Sequence, residues 1–246
     1  MSTFVFLHGL LGSKEDWQNV IEKLPHFHCI ALDLPLHGEA IDYEVTNFSQ
    51  TCQYLEQQLQ QKVGDQSFYL VGYSLGGRIA LYYALEYLTS AAWQPHLKGL
   101  ILEGANLGLS SLEEKQARWQ QDQQWATRFA KEPAHLVLND WYQQAVFSHL
   151  KQAERDILIE KRIKYCGKNI SQMLNATSLE KQPDLKQRAQ TFALPIYYFC
   201  GEYDVKFKHI ALESKLNLIL IKGAGHNAHS EQPEIFASQL EKLFEI

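Results

Sequence analysis

The chain has 246 residues, 46% of them hydrophobic, which suits one α/β domain with a buried core and an insertion. Its 23 Lys and Arg against 28 Asp and Glu give a net charge of -5, so no broad positive field steers it to nucleic acid or an anionic bilayer. The expected partner is instead a small molecule, with any anion held by local cations. No stretch approaches the roughly 20 apolar residues that span a bilayer, and the N-terminus lacks the basic start of a signal peptide. Cys29, Cys52, Cys166 and Cys200 show neither a redox pair nor a zinc-ligand spacing. These features predict a cytoplasmic monomer with reduced cysteines and no metal or cofactor.

Six short apolar runs rich in β-branched and aromatic residues read as strands, each buried on both faces as in a parallel sheet. They are Thr3 to Leu7, His28 to Leu32, Phe68 to Tyr73, Gly99 to Glu103, Pro195 to Cys200 and Leu216 to Ile221. Helix-period segments between them complete an α/β pattern, a mostly parallel sheet flanked by helices. The first run ends in His8-Gly9-Leu10-Leu11-Gly12-Ser13. Its glycines let the loop fold back over the sheet edge, which makes the Leu10 N–H a candidate oxyanion donor and His8 a structural clasp.

The third run ends in Gly72-Tyr73-Ser74-Leu75-Gly76-Gly77, followed by a predicted helix from Arg78 to Leu88. A strand that turns abruptly into a helix strains the serine backbone and lifts its hydroxyl above the sheet, where Ser74 becomes a candidate nucleophile or base. The Leu75 N–H is the second candidate oxyanion donor. Arg78 follows one turn later on the same helix. A guanidinium near an enclosed site needs a partner, either a local acid such as Glu103 or the carboxylates of a substrate, and the substrate is the preferred reading.

After the fourth run, about ninety residues from Asn106 to Ala193 carry no strand-like stretch. They are expected to form an inserted helical cap, dividing the chain into core (1–105), cap (106–193) and core (194–246). One cap helix is predicted from about Ser111 to Lys131, with Arg118, Asp122, Trp125 and Phe129 on one stripe, and another from about Lys151 to Tyr165. The fifth run leads into Gly201-Glu202-Tyr203-Asp204 and the sixth into Gly223-Ala224-Gly225-His226. Serine, acid and histidine thus occur in the order expected of this architecture, each at the carboxyl end of a strand. Ser74, Asp204 and His226 are therefore the expected triad, with Glu103 and His229 as weaker competitors.

These motifs resemble the α/β-hydrolase superfamily over essentially the whole chain. A narrower likeness rests on Gly72 to Arg78, Asp122 to Phe129, Asp140-Trp141-Tyr142-Gln143-Gln144, Ala176-Thr177-Ser178-Leu179, Gln182-Pro183-Asp184-Leu185 and Gly225-His226-Asn227-Ala228-His229. In these the chain resembles the 2-succinyl-6-hydroxy-2,4-cyclohexadiene-1-carboxylate synthases of menaquinone biosynthesis. One departure is Leu36 in Asp33-Leu34-Pro35-Leu36-His37-Gly38, where the superfamily commonly has glycine; it is expected in a surface loop near the site. The resemblance implies a lyase that eliminates pyruvate from a polyanionic enolpyruvyl-cyclohexene, with Ser74 as base. It also implies substrate contacts at Tyr73, Arg78, Arg118, Trp141 and Arg162. A hydrolase of an anionic ester, thioester or C–C bond, and a non-catalytic binding module on the same fold, are the alternatives.

Overall fold

The computed structural model describes residues 2–165 and 167–244. Six parallel strands form one sheet in the order β2-β1-β3-β4-β5-β6. They are β1 (Thr3–Leu7), β2 (His28–Leu32), β3 (Phe68–Tyr73), β4 (Leu97–Glu103), β5 (Ile196–Gly201) and β6 (Asn217–Ile221). The predicted runs match these within two residues at each end. Burial differs at the two edges. Every residue of β1 is buried, whereas β2 and β6 begin exposed and become buried only at their last residue. An edge strand has one neighbour instead of two, and its outer flank extends beyond the covering helices.

Alternation along the strands splits the core into two layers. Val5, Leu7, Leu70, Leu100, Leu102 and Tyr198 point to one face, where they meet Leu55 and Leu59 of α2 (Phe48–Lys62) and Ile79 and Leu81 of α3 (Leu75–Leu85). Phe4, Phe6, Val71, Ile101 and Phe199 point to the other. There they meet Val20 of α1 (Gln18–Ile21) and Phe236 and Leu240 of α11 (Pro233–Phe244). Each such side chain contributes about 1.5–3 kcal/mol of apolar burial. The helix after Ser74 begins at Leu75 and ends at Leu85, three residues earlier at both ends than the sequence pattern suggested.

Between β4 and β5 lie α4 (Leu112–Lys131), α5 (Ala134–Trp141), α6 (Gln152–Arg162), α7 (Lys168–Ala176) and α8 (Lys186–Gln190). α4 starts at a capping box in which Ser111 Oγ accepts from Glu114 N–H and the Glu114 carboxylate accepts from Ser111 N–H. Its buried stripe is Asp122, Ala126 and Phe129. α6 ends at Arg162, after which a 3-10 turn covers Ile163–Tyr165. The insertion has its own core of Phe129, Val137, Leu138, Phe147 and Ile170, joined by Leu11 from the loop after β1. Cys29, Cys52 and Cys200 are free thiols, and Cys166 lies outside the described residues.

Leu36 is a correction. It is buried, not on a surface loop, and its φ of 64° lies in the left-handed region that glycine adopts without strain. The strain of about 1 kcal/mol is offset by packing its side chain into the first core layer. Among the described residues no helix is long and apolar enough to cross a membrane.

Candidate active site

The parallel register brings the strands' carboxyl ends to one edge: Leu7 pairs with Gly72, Tyr73 with Glu103, and Gly201 with Ile221. The loops after β1, β3, β5 and β6 therefore open on the same side. Ser74 caps α3 with φ 49° and ψ -106°, a strained conformation that its position between strand and helix imposes. Its N–H donates to Glu103 O at 2.7 Å, and its C=O accepts from Arg78 N–H at 3.0 Å. α9 (Val205–Ser214) begins just after Asp204, and α10 (Ala228–Glu231) two residues after His226. His226 Nδ1 lies 2.6 Å from Asp204 Oδ2, both side chains buried, and the other Asp204 oxygen caps α9 by accepting Phe207 N–H.

That carboxylate fixes the proton on Nδ1 and leaves Nε2 free to accept one. The His226 ring stacks on Phe207 at 4.7 Å and meets Phe147 of the insertion edge-on at 5.7 Å. It also lies over Gly104, where a Cβ would come within 2.9 Å of its Cε1. Gly104 directly follows the residue whose carbonyl holds Ser74, so the two predicted residues converge at the end of β4.

A cavity of about 80 Å³ opens at Ser74, lined by Leu10, Leu75, Arg78, Arg118 and Trp141 among others. The loop bearing Leu10 comes this close because Gly9 has no side chain: a Cβ there would meet the Tyr73 ring at 2.6 Å. His8 clasps the loop, Nδ1–H donating to Gly9 O at 2.7 Å and Nε2 accepting from Leu34 N–H at 3.0 Å. Burial pushes its pKa down to about 4, so it stays neutral.

Arg78 is held by neutral groups. Nε donates to Gln182 Oε1 at 2.7 Å and Nη2 to Thr177 O at 2.6 Å, and among the described residues no salt bridge reaches it. Burial, then the nearby Arg118, lowers its pKa, the mark of a cation short of negative charge. Arg118 does have an acid: Nε donates to Asp122 Oδ1 at 2.7 Å, and Asp122 Oδ2 accepts from Ser178 Oγ. Thr177, Ser178, Gln182 and Asp122 belong to the insertion motifs singled out above. The Arg118–Asp122 pair is four residues apart on one helix, but the roles of Thr177, Ser178 and Gln182 were invisible in the sequence because they act across 56 to 104 residues.

Glu103 and His229, the competitors, are spent on each other. Glu103 Oε1 accepts from His229 N–H at 3.0 Å and lies 2.9 Å from its Nδ1, while Trp17 stacks on the imidazole at 4.3 Å. Glu103 therefore does not neutralise Arg78. Two predicted substrate contacts, Tyr73 and Arg162, do not line the cavity at Ser74. The Tyr73 hydroxyl is buried and donates to Asn227 Oδ1, and Arg162 donates from Nη1 to Asp16 at 2.8 Å. Burial alone would raise the Asp16 pKa, but Arg162 and Lys161 outweigh it and hold the carboxyl well below the usual range. A residue that the sequence reading missed is Glu231, whose carboxylate accepts from Gly225 N–H and Asn227 N–H and so braces the His226 loop. Across from it, His149 of the insertion lies 3.1 Å away.

The alpha/beta hydrolase fold family matches residues 2–233. A Haemophilus influenzae protein provisionally named 2-succinyl-6-hydroxy-2,4-cyclohexadiene-1-carboxylate synthase is 57% identical over 98% of this chain and 96% of its own length. The synthase of that name from Yersinia pseudotuberculosis is 43% identical over 96% and 85%. The solved structure of MenH from S. aureus superposes with a TM-score of 0.87 at 30% identity, covering 98% of this chain and 92% of that one. An esterase from Thermogutta terrifontis, at 20% identity and a TM-score of 0.76 over 99% and 89%, shares the fold alone. A strained serine at a strand end, a buried His–Asp pair and matching relatives along its whole length together make this chain a member of the 2-succinyl-6-hydroxy-2,4-cyclohexadiene-1-carboxylate synthase family within the alpha/beta hydrolase fold.

Proposed function

We propose that the chain eliminates pyruvate from 2-succinyl-5-enolpyruvyl-6-hydroxy-3-cyclohexene-1-carboxylate, giving 2-succinyl-6-hydroxy-2,4-cyclohexadiene-1-carboxylate in the cytoplasmic synthesis of menaquinone. The observation that carries this reading is Arg78: a buried guanidinium in the wall of the Ser74 cavity, bonded to an amide and a carbonyl but, among the described residues, to no carboxylate. A polyanionic substrate supplies the missing charge.

In this mechanism Ser74 Oγ takes the ring proton α to the succinyl carbonyl and passes its own proton to His226 Nε2. Asp204 steadies the imidazolium. The carbonyl oxygen becomes an enolate held by the Leu10 and Leu75 N–H groups. The electron pair then returns through the ring double bond, moving it to the 4,5 position, and breaks the C–O bond to the enolpyruvyl group. The pair from the broken ring C–H ends in a new 2,3 double bond. The departing group leaves as the enolate of pyruvate and takes up the proton held by His226 to become pyruvate; no water is consumed and no acyl-enzyme forms. Arg78 and Arg118 orient the ring so that its proton meets Ser74, with the 106–193 insertion acting as a cap over the site.

The test is pyruvate release from freshly prepared substrate, followed with coupled lactate dehydrogenase beside an enzyme-free blank. Rapid release by the native protein, lost in Ser74→Ala while ligand affinity is kept, is the expected result. Release no faster than the blank would remove the assignment.

A further inference from the structure

The cavity at Ser74, about 80 Å³, is far smaller than the roughly 300–1,000 Å³ of sites that enclose small organic ligands. A cyclohexene carrying a carboxylate, a succinyl arm and an enolpyruvyl arm must therefore extend beyond it. Arg118 lines both this cavity and a neighbouring cleft of about 890 Å³. The cleft runs between α4 and α9. Its surface is largely apolar, from Leu109, Leu179, Val205 and Ile210, and Lys206 stands on its α9 side.

Lys206 follows Asp204 by two residues. Its Nζ sits 5.4 Å from the centre of the Phe207 ring, whose plane stacks on His226. The ammonium thus stands on the shelf that supports the histidine. The side chain is open to the cleft, and among the described residues no salt bridge reaches it. The acids on the same cleft are engaged elsewhere: Glu114 caps α4, and Glu213 pairs with His209 at 3.1 Å. Burial, then repulsion from Arg118, lowers the Lys206 pKa, as befits two cations facing one space.

We propose that Lys206 binds the terminal carboxylate of the succinyl arm in this outer cleft, opposite Arg118. With the succinyl carbonyl at the Leu10 and Leu75 N–H groups, the two methylenes beyond it lie along the apolar wall. The carboxylate then emerges between the two cations. This assignment rests on the synthase reading, and the experiment separates the two.

Steady-state pyruvate release is measured for the native protein, Lys206→Ala, Lys206→Arg and, as a control outside the cleft, Lys208→Ala. Calorimetry on the same proteins uses 2-succinylbenzoate, which keeps the arm, and 2-butanoylbenzoate, which lacks its carboxylate. A charged hydrogen bond made equally in ground and transition states predicts that Lys206→Ala raises KM by about tenfold or more with kcat nearly unchanged. Affinity for 2-succinylbenzoate should fall to the same extent and that for 2-butanoylbenzoate should not, while Lys206→Arg recovers most of the loss. An active native enzyme whose Lys206→Ala form keeps both KM and 2-succinylbenzoate affinity overturns the cleft assignment. A native protein that releases no pyruvate, yet loses 2-succinylbenzoate affinity on Lys206→Ala, overturns the synthase reading and leaves the carboxylate site standing.

Discussion

The site is built from two regions that hold their residues by different means. On the core side, Ser74, Asp204 and His226 stand at strand ends, fixed by backbone: a strained turn, a helix cap and a loop braced by Glu231. On the insertion side, positions are set largely by side chains meeting across long stretches of chain, as when Gln182 and Thr177 grip Arg78, or Ser178 holds the Asp122 that pairs with Arg118 one turn along its own helix. The first means fixes Ser74, Asp204 and His226 through a few residues of neighbouring backbone. The second shapes a charged pocket that is remade by changing a few residues, which is how one core serves different chemistry.

Asp204→Asn attacks the core side most directly. It removes the charge that steadies the imidazolium and should lower kcat by about 10³–10⁴-fold with little loss of stability. Glu103→Gln is the matched contrast, because its buried partner is His229. By weakening two buried hydrogen bonds to a carboxylate it should cost roughly 2 kcal/mol in urea unfolding while leaving kcat within a few-fold. If Glu103→Gln abolished turnover and Asp204→Asn did not, the acid would have to be reassigned.

Where the insertion grips the core helix α3, Arg78→Ala should lower kcat/KM by about 10²-fold through both binding and orientation. Gln182→Ala leaves the guanidinium in place but loosens it, and a loss of about tenfold, mostly in KM, is expected. Equal kinetics for the native and Arg78→Ala proteins would make that arginine structural.

The smallest effect concerns the link between regions, Asp16 with Arg162 and Lys161. The folded-state pKa of Asp16 is depressed, so its stabilisation is complete above the ordinary carboxylate pKa of about 3.9 and is lost as pH falls through the lower folded value. Urea midpoints should therefore drop more steeply below pH 4 for the native protein than for Asp16→Asn. Parallel curves would show that the pair contributes nothing to the pH dependence.

Much of the core side was legible in the sequence, because short apolar runs rich in β-branched and aromatic residues read as buried parallel strands and a glycine-flanked serine between strand and helix has few other uses. Serine, acid and histidine then had to fall on one edge once the strands were parallel. The edges of the sheet were less legible, since a run such as Leu216 to Ile221 reads the same whether it has one neighbour or two. Leu36 read as a surface departure from glycine because its left-handed backbone and buried side chain exist only in the fold.

Pairing was the part that composition and spacing left open. Arg78, Arg118 and Arg162 are equivalent as letters, yet the first meets neutral groups, the second a shared aspartate and the third a buried ion pair. Local sequence determines secondary structure and the strand-end placement of Ser74, Asp204 and His226, because those follow from backbone geometry over a few residues. Arg118 finds its aspartate one turn along its own helix, but the neutral partners of Arg78 and the acid of Arg162 were decided only when segments 99 to 146 residues apart were packed against one another.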